Sequence, residues 1–266
     1  MMTNHNDTEW RSNGSLKSDH STEAQPRQNS PVGRLSGTFI DSSLRSPVLS
    51  TIEEDAQGIP DIVIRRLPIY VRMLKKLHAK GTTSVSSEEL AEHIGVTAAQ
   101  IRRDLSYFGK FGKQGKGYDT DFLARAIGSI LRLDRQWPVA LVGLGNLGRA
   151  IAGYRGFTPS SFTIVALFDR NPQNIGMVVN DLEILSEDYL TEVIARERIK
   201  IGILASPSVY AQEVATRMVE GGVEAILNYA PVILKVPEYV TVREIDPVSA
   251  LQSMTYYLSN RVPAGT

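Results

Sequence analysis

Val139-Ala140-Leu141-Val142-Gly143-Leu144-Gly145-Asn146-Leu147-Gly148 sets four apolar residues directly before a G-x-G-x-x-G loop. The apolar run has the length of a buried strand, and a helix is expected to open within the glycines. A lone G-x-G-x-x-G says little, but one between a strand and a helix has a mechanism. Gly143 permits the tight turn, Gly145 lets a pyrophosphate approach the backbone, and Gly148 allows close packing of helix on strand. Leu144, Asn146 and Leu147 belong to the same loop, and the helix N-terminus offers N–H donors to phosphate. These residues predict a dinucleotide site.

Downstream the apolar pattern repeats. Segments 162–168, 199–204 and 225–227 read as strands, and 212–220 as a helix. Alternating strands and helices imply a parallel sheet with crossovers on both faces, a Rossmann-type α/β domain. Asp169 ends the second strand, 21 residues after Gly148. A carboxylate there accepts from the adenosine ribose and repels a 2′-phosphate, so NADH/NAD+ is the expected cofactor pair. Arg170 beside it is the residue type that accommodates that phosphate, and it pulls the other way. A final helix starts near Pro247.

Upstream lies a different texture. Residues 60–80 place Ile64, Leu67, Val71, Leu74 and Leu77 on one helical face, and Pro68 predicts a division into a short lead-in and a main helix ending at Gly81. Ser86 with Glu89, and Thr97 with Gln100, read as two capping boxes. They open helices that run to Ile94 and to about Phe108, separated by Gly95. Gly109, Gly112, Gly115 and Gly117 follow, with Lys110, Lys113 and Lys116 between them. Two short capped helices and a glycine–lysine loop match a helix-turn-helix with a wing. On the second of these helices Ile101, Leu105 and Phe108 share an inward face. Gln100, Arg102, Arg103, Ser106 and Tyr107 are left for DNA: Arg suits guanine, Gln suits adenine, and hydroxyls suit phosphate. The Thr97 end offers backbone N–H groups to a phosphate, and Lys113 and Lys116 on the wing would contact others.

Charge agrees with that division. The 266 residues carry no net charge, yet 60–117 hold eleven Lys and Arg against five acids, a net of +6. A basic block in a neutral chain suggests one module facing an anion such as double-stranded DNA. Cysteine is absent, which excludes disulfides, thiolate metal sites and thiol switching, so redox sensing would need a bound cofactor. No apolar run approaches a membrane span and no secretory core opens the chain, so a cytoplasmic protein is expected, with no membrane or metal partner. The expected domains are a disordered extension (1–58), a winged helix (59–120), a Rossmann domain (121–245) and a C-terminal helix and tail (246–266).

Catalytic groups are missing where a dehydrogenase needs them. His5, His20, His78 and His93 all precede the glycine loop, and Lys200 and Lys235 are the only lysines after residue 117. No Tyr is followed four residues later by Lys. No catalytic residue is therefore assigned, and the pattern suggests a sensor. Two rivals stand beside that reading. One is an NAD-dependent oxidoreductase with an N-terminal helical assembly module, and the other a structural protein on a degenerate Rossmann fold.

The stretches IRRDLSYFGKFGKQGKGY, RLPIYVR, GLGNLG with Tyr154 and Phe157 after it, and AILNYAPVIL resemble the Rex family of bacterial redox-sensing repressors. The similarity runs from about Ile59 to Leu258. It implies a winged helix followed by a Rossmann domain, with the last helix exchanged between the subunits of a homodimer. It also implies binding to palindromic operator DNA when NADH is scarce, and release when NADH binds. The resemblance places an interdomain switch at Arg72, Tyr154 and Asp246, the aspartate coming from the partner subunit. It puts Ser206-Pro207 and Asn228-Tyr229 beside the nicotinamide. From the residues alone, Asp246 before Pro247 is a helix N-cap, Arg72 an exposed helix charge and Tyr154 a packed aromatic. A long N-terminal tail and the turn Asp169-Arg170-Asn171 depart from the family pattern.

Overall fold

A computed structural model describes residues 58–112 and 117–259. The expected N-terminal extension, and the wing lysines Lys113 and Lys116, lie outside these residues.

The basic segment folds as a small helical unit. Helix α1 (Asp61–Ala79) buries Val63, Leu67, Tyr70, Val71, Leu74 and Leu77. It continues through Pro68, so the expected division does not occur. Proline removes one helical N–H, but the apolar face is continuous on both sides of it and packing holds the helix in one piece. A two-residue strand β1 (Ser84–Val85) precedes α2 (Ser87–Ile94), and α3 (Ala98–Ser106) follows across Gly95, which caps α2 at φ +72°. The Ser86–Glu89 capping box is complete, Ser86 N–H donating to Glu89 and Glu89 N–H to Ser86 Oγ. At Thr97 only half a box forms. Thr97 Oγ1 accepts from the Gln100 N–H, while the Gln100 side chain turns to Asp104.

Strand β2 (Tyr118–Asp119) pairs antiparallel with β1 and closes the base of the wing. Gly117 sits at φ +70°, where a Cβ would fall 2.6 Å from the Val85 carbonyl oxygen. Asp119 caps α4 (Thr120–Ile130), whose Leu123, Ala124 and Ile127 join the core that α1 builds. The winged-helix core thus extends past residue 120, and the sheet domain begins at β3 (Trp137–Val142).

The remaining elements are α5 (Asn146–Ala152), β4 (Phe162–Asp169), β5 (Val178–Val179), β6 (Leu182–Ser186), α6 (Leu190–Arg196), β7 (Ile201–Leu204), α7 (Ser208–Gly221), β8 (Ala225–Asn228), β9 (Thr241–Glu244) and α8 (Pro247–Ser259). The sheet order is β5-β6-β4-β3-β7-β8-β9, parallel except for β5 at one edge. Strands β5, β6 and β9 were not expected from the sequence. Val178-Val179 is only two residues long, Glu183 interrupts the apolar residues of β6, and Thr241–Glu244 lacks the apolar run of the central strands.

The two faces of the sheet differ. On one, Ala140, Val142, Ala166 and Phe168 pack under α6 and α7. The other carries α5, whose Ile151 packs with Leu141 and Leu144. Beyond α5 that face leaves a groove of about 260 Å³ lined by Val139, Phe157, Phe162, Ile164, Ile203 and Leu227 among others. Helix α8 meanwhile exposes Val248, Leu251, Met254, Tyr256, Tyr257 and Leu258, each more than half accessible.

Candidate functional site

Strand order reverses direction on either side of β3, so the loops after β3 and β7 part at their C-terminal ends, where ligands bind open α/β sheets. There lies a cleft of about 540 Å³, lined by Gly143, Gly145, Asn146 and Leu147, by Asp169 and Arg170, and by Ser206 and Pro207. The sequence had placed all eight at the cofactor. Leu144 and Gly148 support the loop from behind: Leu144 is wholly buried, and a Cβ on Gly148 would collide with the Gly143 carbonyl. That contact is helix on loop, where helix on strand was expected. Gly143 adopts φ +93°, and a Cβ there would sit 2.7 Å from the Ala205 and Ser206 backbone. A Cβ on Gly145 would meet nothing within 4 Å, so the loop is open on the side facing the cleft.

Asp169 is 8 % exposed and already occupied. Its Oδ2 accepts from the Leu144 N–H at 2.6 Å and from Asn174 Nδ2 at 3.0 Å, and its Oδ1 accepts from the Asn171 N–H at 2.7 Å. The carboxylate therefore holds the glycine loop in place, with acceptor capacity left mainly on Oδ1. Arg170 lies 4.2 Å over the Tyr210 ring and is gripped by two carboxylates, Glu187 at 3.1 Å and Glu213 at 2.8 Å. Burial pushes the Glu187 carboxyl above its usual range, against the pull of Arg170. Asn171, noted from sequence only as part of the turn after β4, also lines the cleft, as do Glu187, Asn174 and Tyr210, which carried no sequence signal because nothing local marks them.

Ser206 Oγ is buried with no hydrogen-bond partner. That hydroxyl has its bonding capacity free for a group placed in the cleft. Asn228 and Tyr229 are not among the lining residues. Asn228 is 1 % exposed, accepts from the Ala230 N–H and donates to the Val232 carbonyl, so it ties its own loop. Tyr229 packs against the sheet.

On the winged helix, Ile101, Leu105 and Phe108 are buried as the helix pattern required. Asp104 is buried too, and receives Arg66 Nε and Nη2 at 2.6 and 2.8 Å, Tyr70 Oη at 2.6 Å and Gln100 Nε2 at 2.7 Å. Gln100 is thus engaged inside the domain. Arg102 donates to Ser87 Oγ and Glu88 Oε1 at 2.7 and 2.8 Å. Arg103, Ser106 and Tyr107 are exposed, with Ser106 Oγ donating to the Arg103 carbonyl.

Among the described residues no hydrogen bond or ion pair joins the three switch positions within the single chain. Arg72 is exposed on α1, and Tyr154 is 63 % exposed with Phe157 edge-on to its ring at 5.2 Å. Asp246 Oδ1 accepts from the Val248 N–H at 2.9 Å, as an N-cap does. The ion pair that joins α1 to the sheet domain is instead Asp61 with Arg243 of β9.

A basic winged helix joined to a Rossmann domain with an open dinucleotide-type cleft defines the class of ligand-gated DNA-binding regulators. Residues 58–106 match the family described as "Putative DNA-binding protein N-terminus", and 134–232 match the "CoA binding domain" family. Curated relatives named redox-sensing transcriptional repressor Rex are 58% identical over 200 residues in Chloroflexus aurantiacus, covering 75% of this chain and 94% of the relative, and 53% identical over 203 residues in Roseiflexus sp., covering 76% and 92%. A crystal structure of RSP in complex with NAD+ and operator DNA superposes with TM-score 0.73 at 41% identity, covering 76% of this chain and 93% of RSP. RSP in complex with NADH gives 0.70 at 39%, with 76% and 95% covered. This chain belongs to the Rex family of redox-sensing transcriptional repressors. That membership displaces the oxidoreductase reading.

Proposed function

We propose that the chain binds palindromic operator DNA through α3 and the wing when NADH is low, and leaves it when NADH fills the glycine-loop cleft. The observation that carries this is the cleft itself: the open Gly145 backbone for a pyrophosphate, next to an unpartnered Ser206 Oγ. Gly143–Gly148, Asp169, Arg170, Ser206 and Pro207 hold the cofactor, with Asn228 and Tyr229 supporting the nicotinamide end from the loop behind. Thr97, Arg102, Arg103, Ser106 and Tyr107, with Lys113 and Lys116, face DNA, and Gln100 reaches it only on leaving Asp104.

The working unit is a homodimer in which α8 of one copy covers the apolar groove of the other. An open apolar groove and a helix with exposed apolar residues on one chain support this reading. Among the described residues no helix is long and apolar enough to cross a membrane, and a repressor of transcription works in the cytoplasm with the chromosome. The test is a band-shift on a palindromic operator, titrated first with NADH and then with NAD+. Loss of the complex at lower NADH than NAD+ supports the proposal, and indifference to both refutes it.

A further inference from the structure

Arg170 is the residue at the cleft that could accept a 2′-phosphate, yet two carboxylates already hold it. Its Nε faces Glu187 and its Nη2 faces Glu213, while the ring of Tyr210 lies beneath the guanidinium. Arg217 on α7 donates Nη2 to the Glu187 backbone carbonyl at 2.6 Å, which places a second guanidinium beside the pair. Asp169 is turned toward the glycine loop, so at this edge of the cleft Glu187 and Glu213 face the Arg170 guanidinium.

We propose that Glu187 and Glu213 set the choice of NAD(H) over NADP(H), by neutralising Arg170 and holding it away from the cofactor's ribose. The proposal rests on the reading that the cleft binds NAD(H). Glu187 acts at the cleft wall; Glu213, on the solvent side of α7, is a positioning residue that works through Arg170. A 2′-phosphate brought to this edge meets the carboxylates of Glu187 and Glu213, and the Arg170 guanidinium is already paired with both. Ribose hydroxyls carry no such penalty. Asp169, whose acceptor sites are largely used on backbone and Asn174, then contributes less to discrimination than its position suggests.

The experiment measures NADH and NADPH affinity by calorimetry on the full chain and on Glu187→Gln/Glu213→Gln, Glu213→Gln alone, and the double variant carrying Arg170→Ala as well. The readout is the ratio of NADPH to NADH affinity, which a general loss of packing does not raise. The expected result is a rise of about tenfold or more in the double variant. Glu213→Gln, altered at an exposed position, should show a smaller rise even if the buried change harms folding. Adding Arg170→Ala should abolish the gain. If the wild type binds NADH and rejects NADPH while both variants keep its ratio, the inference fails and the cleft reading stands. If the wild type binds neither nucleotide, the cleft reading fails and takes the inference with it.

Discussion

Asp104 of α3 and Arg66 of α1 form a two-pronged ion pair at 2.6 and 2.8 Å, with the carboxylate fully buried. Tyr70 and Gln100 complete its shell, so every strong acceptor site is used. The pair fixes the angle of α3 on α1 and hence the surface offered to a DNA groove. Removing one partner strands the other. Arg66→Ala should cost about 3–5 kcal/mol of winged-helix stability, as broken buried pairs do. Urea unfolding followed by circular dichroism should show an early transition for this domain.

The same carboxylate makes a pH prediction. Burial pushes the Asp104 carboxyl up, but the bonds from Arg66, Tyr70 and Gln100 together outweigh it and hold it below its ordinary 3.8. Its contribution is therefore fully present above about pH 4 and is lost as pH falls through the lowered folded value. Acid titration of wild type and Asp104→Asn should give a steeper loss of stability for the wild type below pH 4. Parallel curves would assign acid unfolding to other carboxylates.

Contacts on α3 separate two arginines that the sequence had treated alike. Arg103 is exposed, while Arg102 is bonded to Ser87 and Glu88 and must leave Glu88 to reach a base. Arg103→Ala should cost roughly 1–3 kcal/mol of operator binding and relax base preference. Glu88→Gln should strengthen DNA binding, because it frees Arg102 and removes a negative charge near the phosphates. Fluorescence anisotropy at fixed salt, on operator and scrambled duplexes, measures both. Weaker binding by Glu88→Gln would show that Arg102 acts from its present position.

Ser206 offers a direct check on the cleft. Its buried hydroxyl has no partner, so Ser206→Ala should leave the cofactor-free chain as stable as wild type or about 1 kcal/mol more so. If NADH supplies the missing partner, the same change should weaken NADH binding by roughly threefold to tenfold. Unchanged affinity in calorimetry would place the cofactor away from Ser206.

What the sequence showed and what it hid divide along physical lines. The glycine loop was legible because Gly143 and Gly148 stand where a Cβ meets backbone, and no other residue type serves there. The Ser86–Glu89 box was legible because its two bonds lie within four residues. Asp104 was not, since its Arg66 partner lies 38 residues away and the IRRD stretch reads as exposed charge. Glu187 and Glu213 reach Arg170 from 17 and 43 residues away, across two elements. Pro68 misled because local propensity yields to a continuous buried face on either side of it. Strand β9 escaped because an edge strand needs no apolar run.

The coupling between cofactor and DNA makes the sharpest prediction. NADH can release DNA only by binding the DNA-incompetent dimer better than the competent one. The energy must then pass through groups with two alternative pairings, and the family resemblance assigns these to Arg72, Tyr154 and the Asp246 of the partner subunit. In the single chain Asp246 caps α8, and both Arg72 and Tyr154 are exposed, which leaves them accessible to a second copy. Asp246→Ala loses a cap worth ~0.5–2 kcal/mol and should still fold and dimerise. It should bind NADH, yet NADH should no longer set DNA affinity. Linkage allows measurement from both ends, since operator DNA must weaken NADH binding by the factor by which NADH weakens DNA binding. That factor should fall toward one in the variant. If it stays at the wild-type value, Asp246 is a helix cap alone. The Asp61–Arg243 pair, which joins the two domains within one chain, then becomes the next route to break.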